Sequence, residues 1–400
     1  MTHHLVVLGA GYAGLAAASR AARRLHSSDV RITLINSGDR FVERIRLHQL
    51  AAGQALREYP IRSLLAGTGV TLLVGSVQSI DAAAQRIEVQ TSQATSPVEV
   101  DYDTLVFALG SRADVSAVPG VAEYAHSVAD AGSAIRLRNQ LAALDAAGAG
   151  TVTVVGGGLT GIETAAELAE SHPALRVQVV NDVAPGNWLS HRAQQHVHQA
   201  FDRLGIDVRS GTVVHGVQPG RILLSTGEQL AADVIVWAAG FRVSELAATA
   251  GFTVDGRGRM AVDRTLRSVS DPNVYGIGDA AAAQVGDAVT RMCCQTSLPM
   301  GQHVADVIAD QLTGRTPTPF RLRYVWQNIS LGRRDAVTQF THADDSPRAA
   351  TLRGRPATLF KEGISRGVMV ALRHPGPYPP AVRRRAATGQ PNRGQESLEK

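Results

Sequence analysis

Among its forty basic residues the 400-residue chain has only two lysines, and it has only two cysteines. The cysteines are neighbours, Cys293 and Cys294, too few for a disulfide framework and without the C-x-x-C spacing of a redox pair or a zinc site. A reducing, cytoplasmic setting is the expectation. The scarcity of lysine, beside abundant alanine, fits a bias toward GC-rich codons and points to no mechanism. No run approaches the roughly 18 uninterrupted apolar residues of a membrane helix. The opening MTHHLVVLGAGYAGLAAA is apolar, but no basic stretch precedes it and its glycines spell a tight turn, so a cleaved leader is not expected. A basic body is lacking too. Residues 348–400 hold eleven Lys/Arg against three Asp/Glu, more than the whole formal charge of +5, which argues against a nucleic-acid partner.

What is present is a repeat. Apolar residues make up 44% of the chain, enough at this length for two cores and a smaller appendage. LVVLGAG, YAGLAAASRAARRL and VRITLIN read as strand, turn and helix, then strand, a βαβ unit. About 147 residues later TVTVVGGG, LTGIETAAELAESH and LRVQVVND repeat the grammar. Each copy is followed by alternating strand-like passages, the first closing at YDTLVFALG near Gly110 and the second at ADVIVWAAG near Gly240. A helical run around MGQHVADVIADQLTG stops at Gly314, and the proline- and arginine-rich stretch after about residue 376 is expected to be disordered.

Each turn carries glycines at fixed offsets: Gly9, Gly11 and Gly14, then Gly156, Gly158 and Gly161. This spacing serves a tight turn, close approach of backbone N–H groups to a pyrophosphate, and packing of helix on strand, with the helix N-terminus facing the phosphates. One such motif is weak evidence. Two, each between an apolar strand and a helix, imply two bound dinucleotides, and a flavin with a nicotinamide would allow hydride transfer between them.

With these motifs the chain resembles the pyridine-nucleotide-dependent FAD oxidoreductases, the family that contains type II NADH dehydrogenases, ferredoxin reductases and disulfide reductases. DTLVFALG and ADVIVWAAG resemble the family's strand-to-loop segments, and TLRSVSDPNVYGIGDAA, with Thr265 and Gly278 at family spacing, resembles its second FAD motif, which implies that Asp279 accepts hydrogen bonds from the ribityl chain. The resemblance implies an α/β fold of two interleaved Rossmann-like domains. Residues 1–112 and 244–313 would bind FAD, residues 113–243 would bind NAD(P)H, 314–375 would form a small C-terminal domain, and 376–400 a disordered tail.

Several residues depart from the family pattern. The positions closing the second strand of each unit, usually acidic, are Asn36 and Asn181. Asp182 beside the latter favours NADH and Arg192 would suit a 2′-phosphate, so the choice of nucleotide stays open. DRFVERIRLHQLAAG has no sulfur where disulfide reductases carry their cysteine pair, which excludes that route. In this segment Arg44 or Arg46 is expected to pair with the pyrophosphate. His48 is open between meeting an acceptor and a structural role. Glu163 stands where the family keeps a glutamate near the nicotinamide, although helix-start glutamates also serve the dipole. Of the type II enzymes' A-Q-x-A-x-Q motif only Gln295 remains, and the helix that starts there would favour negative charge on the flavin. Cys293 and Cys294 read as small apolar packing.

The expected activity is that of an FAD-dependent NAD(P)H dehydrogenase passing electrons to a quinone or similar small acceptor, with no metal. Glu163, Gln295 and His48 are its candidate catalytic residues. A reductase of a ferredoxin or a specialised metabolite, or a flavin-binding regulatory protein, are the alternatives. SRGVMVALRH and the arginines at 383–385 leave room for peripheral membrane contact, and the C-terminal domain for a homodimer.

Overall fold

A computed structural model describes residues 2–286, 288–376 and 382–387. The first unit opens with β1 (His3–Leu8), α1 (Tyr12–Arg24) and β2 (Val30–Asn36), followed by the short helix α2 (Leu47–Ala51), β3 (Thr71–Val74) and β4 (Thr104–Phe107). Leu5 to Leu8 are buried without interruption, as expected of a central parallel strand covered on both faces. Alanine-rich α1 can therefore lie close against the sheet. It also ends in Arg23 and Arg24, cations at the negative end of its dipole.

The second unit repeats this plan with α3 (Ala131–Ala146), β5 (Thr151–Val155), α4 (Leu159–Ser171), β6 (Arg176–Val180), α5 (His191–Leu204), β7 (Asp207–Arg209) and β8 (Val234–Trp237). Its sheet runs β7-β6-β5-β8, all parallel. The first sheet runs β3-β2-β1-β4 and gains a fifth parallel strand, β9 (Val274–Gly276), from beyond the second unit. The chain thus leaves the first sheet, builds the second and returns. Equivalent registers recur, Leu8 opposite Phe107 and Val155 opposite Trp237.

After β9 comes α6 (Cys294–Leu312), which packs on α1 so tightly that a Cβ on Gly301 would stand 2.2 Å from the Ala13 carbonyl oxygen. The remaining chain forms an antiparallel sheet, β10 (Trp326–Ser330), β11 (Ala336–Thr341) and β12 (Pro347–Arg353), and helix α7 (Arg355–Arg373). The sheet is fastened to the second unit: Asp335 meets His196 Nε2 and Arg203 at 2.8 Å each, and Trp188 Nε1 donates to Gln327 at 2.8 Å. Beyond it, α7 crosses to the first unit, where Met369 and Leu372 join the core around α1. The C-terminal part therefore clamps both units.

The expectation of disorder after residue 376 fails for residues 382–387. The Arg384 N–H donates to the Arg24 carbonyl at 2.8 Å and its guanidinium meets Asp310 at 2.5 Å, while Arg385 reaches Asp29 at 3.2 Å. Half-buried carboxylates of the first unit, Asp29 and Asp310, hold this basic strip, which composition could not reveal. The rest of the expected tail, 377–381 and 388–400, lies outside the described residues. Among the described residues no helix is long and apolar enough to cross a membrane, and no cluster of side chains suits a metal ion.

Candidate functional site

The two glycine turns are built alike. Gly9 and Gly156 take φ of +94° and +116°, and a Cβ on either would strike the backbone of Ala108 or Ala238. A Cβ on Gly14 or Gly161 would stand 1.8 Å from the carbonyl oxygen of Gly9 or Gly156, which only glycine permits. By contrast, nothing lies within 4 Å of the Cβ position at Gly11 or Gly158. These residues cap α1 and α4 with no side-chain hydrogen bond. Two glycines of each triplet serve packing, and the third leaves an open face at a helix N-terminus, where first-turn N–H groups would meet a phosphate.

Asn36 and Asn181 work on the turns themselves. Asn36 Oδ1 accepts from the Ala10 N–H at 2.9 Å and its Nδ2 donates to the Gly38 carbonyl at 2.8 Å, while Asn181 Nδ2 donates to the Val183 carbonyl at 2.9 Å. Asp182 and Arg192 are exposed.

A third group of residues meets beside the first turn. Gly278, at φ +68°, lets the chain pass close to Ala13 and Ser297, the latter in the first turn of α6. Asp279 Oδ2 accepts from Ser111 Oγ at 2.6 Å, and Arg44 Nη1 lies 3.5 Å from the same carboxylate and 3.3 Å from Ser111 Oγ. Gly110 adjoins Arg44, and the Arg44 guanidinium lies 5.9 Å from the ring centre of Phe241, next to Gly240 in the second unit. Asp279 Oδ1 is buried with no partner among the described residues. A buried acceptor left open in this way fits a ribityl hydroxyl, and Arg44 beside an open helix N-terminus fits a pyrophosphate. The donor set therefore suits FAD. Ser111 carried no signal in the sequence.

Arg46 departs from expectation. Its guanidinium bonds to Glu362 at 2.8 Å and to Glu43 and Gln49 at 3.3 Å each, so it faces α7 and not the glycine turn. The cause is Glu362, brought over by the C-terminal domain. That domain likewise decides the setting of Glu163. This carboxylate accepts from the Ser330 N–H at 2.8 Å and from Lys361 Nζ, which also donates to Ser330 Oγ at 2.6 Å. His48 belongs to the same buried cluster. Its Nε2 has no partner, and burial pushes its pKa down to about 4 against the pull of Glu163, so the ring is neutral.

Gln295, in the first turn of α6, accepts from Arg291 Nη2 at 3.4 Å, and Arg291 pairs with Asp345 at 2.5 Å. Burial pushes the Cys294 thiol up to about 12, which keeps it protonated and agrees with a packing role.

Glu43, Arg46, Ser330, Lys361 and Glu362 line a cavity of about 730 Å³ between the 43–59 segment and α7. Segment 43–46 is thus a shared wall, with Arg44 toward the Asp279 group and Glu43 and Arg46 toward the cavity.

Comparison with known proteins places this geometry. The pyridine nucleotide-disulphide oxidoreductase family matches residues 3–305. An NADH dehydrogenase-like protein of Mycobacterium tuberculosis is 33% identical over 379 residues, covering 90% of this chain and 92% of its own. A type II NADH:quinone oxidoreductase of Staphylococcus haemolyticus is 28% identical over 362 residues, covering 83% and 88%. The NDH2 of Plasmodium falciparum, solved in complex with NADH, superposes with a TM-score of 0.78 at 15% identity, covering 93% of this chain and 98% of that one.

Proposed function

Because this chain belongs to the pyridine nucleotide-disulphide oxidoreductase family, we propose that it acts as an FAD-dependent NAD(P)H dehydrogenase passing two electrons to a quinone or similar small acceptor. The observation that carries this reading is the unpartnered Oδ1 of Asp279, buried beside Arg44 and the first glycine turn. Residues 1–112 and 244–313 are assigned to FAD, 113–243 to NAD(P)H and 314–375 to the acceptor side.

FAD, when bound, supplies the hydride-accepting and electron-releasing chemistry. The chain supplies position and charge. The first turns of α1 and α4 would present N–H groups past Gly11 and Gly158 to the two pyrophosphates. Arg44 would offset phosphate charge on one side of the shared wall, and Asp279 Oδ1, buried and unpartnered among the described residues, would accept from a ribityl hydroxyl. The N-terminus of α6, carrying Gln295, faces this group with the positive end of a 19-residue helix. On the acceptor side Lys361 Nζ lines the cavity and bonds to Glu163, so it holds a proton where an acceptor gaining electrons would need one. Neutral His48, buried nearby, adds no competing charge to that pair. Asn36 and Asn181 support cofactor binding by shaping the turns.

Peripheral membrane contact is assigned to α7, where Leu359 and Val370 are 75% and 59% exposed. Homodimerisation is a further proposal for the C-terminal domain, tested by sedimentation of the flavin-loaded protein.

The primary test is anaerobic stopped-flow mixing with NADH and with NADPH, followed by a soluble quinone. Rapid bleaching of the oxidised-flavin band and fast recovery on quinone are expected. A flavin that no nucleotide bleaches would overturn the reading, and one that is reduced once but not reoxidised would favour a switch.

A further inference from the structure

Six cationic side chains line the cavity between the 43–59 segment and α7. Four are matched by carboxylates: Arg46 by Glu43 and Glu362, Arg366 by Glu362 at 3.0 Å, Arg333 by Glu167 at 3.5 Å, and Lys361 by Glu163. Those four cations face four carboxylates, and a fifth, Glu170, accepts from the Arg333 N–H beside Gly332, so this part of the wall carries no positive surplus. The remaining two, Arg57 and Arg373, have no carboxylate partner among the described residues. Their guanidinium groups converge on one ring, that of Tyr59, with Cζ 5.3 Å and 5.8 Å from its centre. Both cations are thus held near one aromatic ring without a counter-charge. The same cavity wall is apolar at Ile45, Leu56 and Met369.

We propose that this cavity selects an acceptor with a planar apolar body and an anionic substituent, such as a carboxylate or sulfonate, met by Arg57 and Arg373 beside Tyr59. The inference rests on the dehydrogenase reading and narrows its acceptor. The apolar body lies against Ile45, Leu56 and Met369 beside the wall shared with Arg44. The anionic group meets the two guanidinium charges that no carboxylate of the described residues pairs. The two arginines are exposed, so their attraction acts within a Debye length and weakens with salt.

The test uses the flavin-loaded protein and two planar molecules that flavin does not reduce, 2-naphthoate and methyl 2-naphthoate, in calorimetric titrations. The anion should bind about tenfold more tightly at low ionic strength, and the preference should vanish in about 0.5 M salt, where screening is nearly complete. R57Q/R373Q should lose the preference, while R257Q, an exposed arginine outside the cavity, should keep it. With 1,4-naphthoquinone-2-sulfonate against 1,4-naphthoquinone, the ratio of kcat/KM should fall by a similar factor in the double variant.

Equal binding of the two naphthalenes, or a preference that survives R57Q/R373Q, overturns the proposal. So does a double variant that keeps its naphthoate preference but no longer sediments with phosphatidylglycerol vesicles, since the pair then serves a lipid surface. Failure of NADH and NADPH to reduce the flavin would sink the dehydrogenase reading instead, and the naphthoate titration would still report on the cavity.

Discussion

Replacing His48 by leucine tests the acceptor-side cluster through its proton balance. The imidazole is buried and its pKa is depressed to about 4, from 6.5 in an unfolded chain, with burial as the main cause. Between those values the unfolded state binds a proton that the folded state refuses. His48 therefore contributes stability that is fully present above pH 6.5 and is lost as pH falls toward 4. At 1.36 kcal/mol per unit the whole shift is worth about 3 kcal/mol, of which roughly 2.5 kcal/mol is gone at pH 4.5. An unfolding entropy of about 2.1 cal/mol/K per residue converts that loss into a Tm change of about 3 °C for a chain of this length. Other histidines with depressed pKa, His3, His4 and His303, titrate with the same sign, so the informative quantity is the Tm gap between wild type and H48L. Scanning calorimetry from pH 7 to 4.5 should show that gap moving by about 3 °C in favour of the leucine variant. Parallel Tm profiles would refute the assignment of His48 as a buried neutral base.

Other substitutions separate packing from binding. G14A forces a Cβ to 1.8 Å from the Gly9 carbonyl oxygen and should cost about 3 kcal/mol or more, whereas G11A meets nothing within 4 Å and should leave Tm unchanged while weakening FAD retention on gel filtration. D279A removes the one buried acceptor without a protein partner in the Arg44 group and should weaken FAD binding about tenfold to a hundredfold, measured by fluorescence titration of the apoprotein. K361M leaves Glu163 buried with one backbone donor and should cost about 3 kcal/mol, yet K361M/E163Q should fall short of the summed single costs by more than about 1 kcal/mol; additive Tm changes would remove the pair.

Legibility of the site followed the range of the constraint. The glycines at 9, 14, 156 and 161 were readable because a positive φ or a Cβ clash imposes one residue type at a fixed spacing. The second FAD motif, ending in Asp279, carried the same kind of local signature. Lys361 left a fainter trace: it is one of two lysines in a chain that otherwise uses arginine, and its meaning appeared only once it stood against Glu163. Ser111 left none, since a serine is ordinary anywhere.

The sequence by itself determined the two βαβ units, their open helix ends and therefore the two dinucleotides, because turn geometry acts over a few residues. Only the tertiary structure decided how the acceptor side is built. Glu163 and Lys361 are 198 residues apart, Arg46 and Glu362 316, and Ser111 and Asp279 168. Any acid can pair with any base that folding brings near, so such pairs impose no spacing. The clamp of the C-terminal domain across both units chose among them, drawing Arg46 away from the phosphates and leaving Arg57 and Arg373 without a carboxylate.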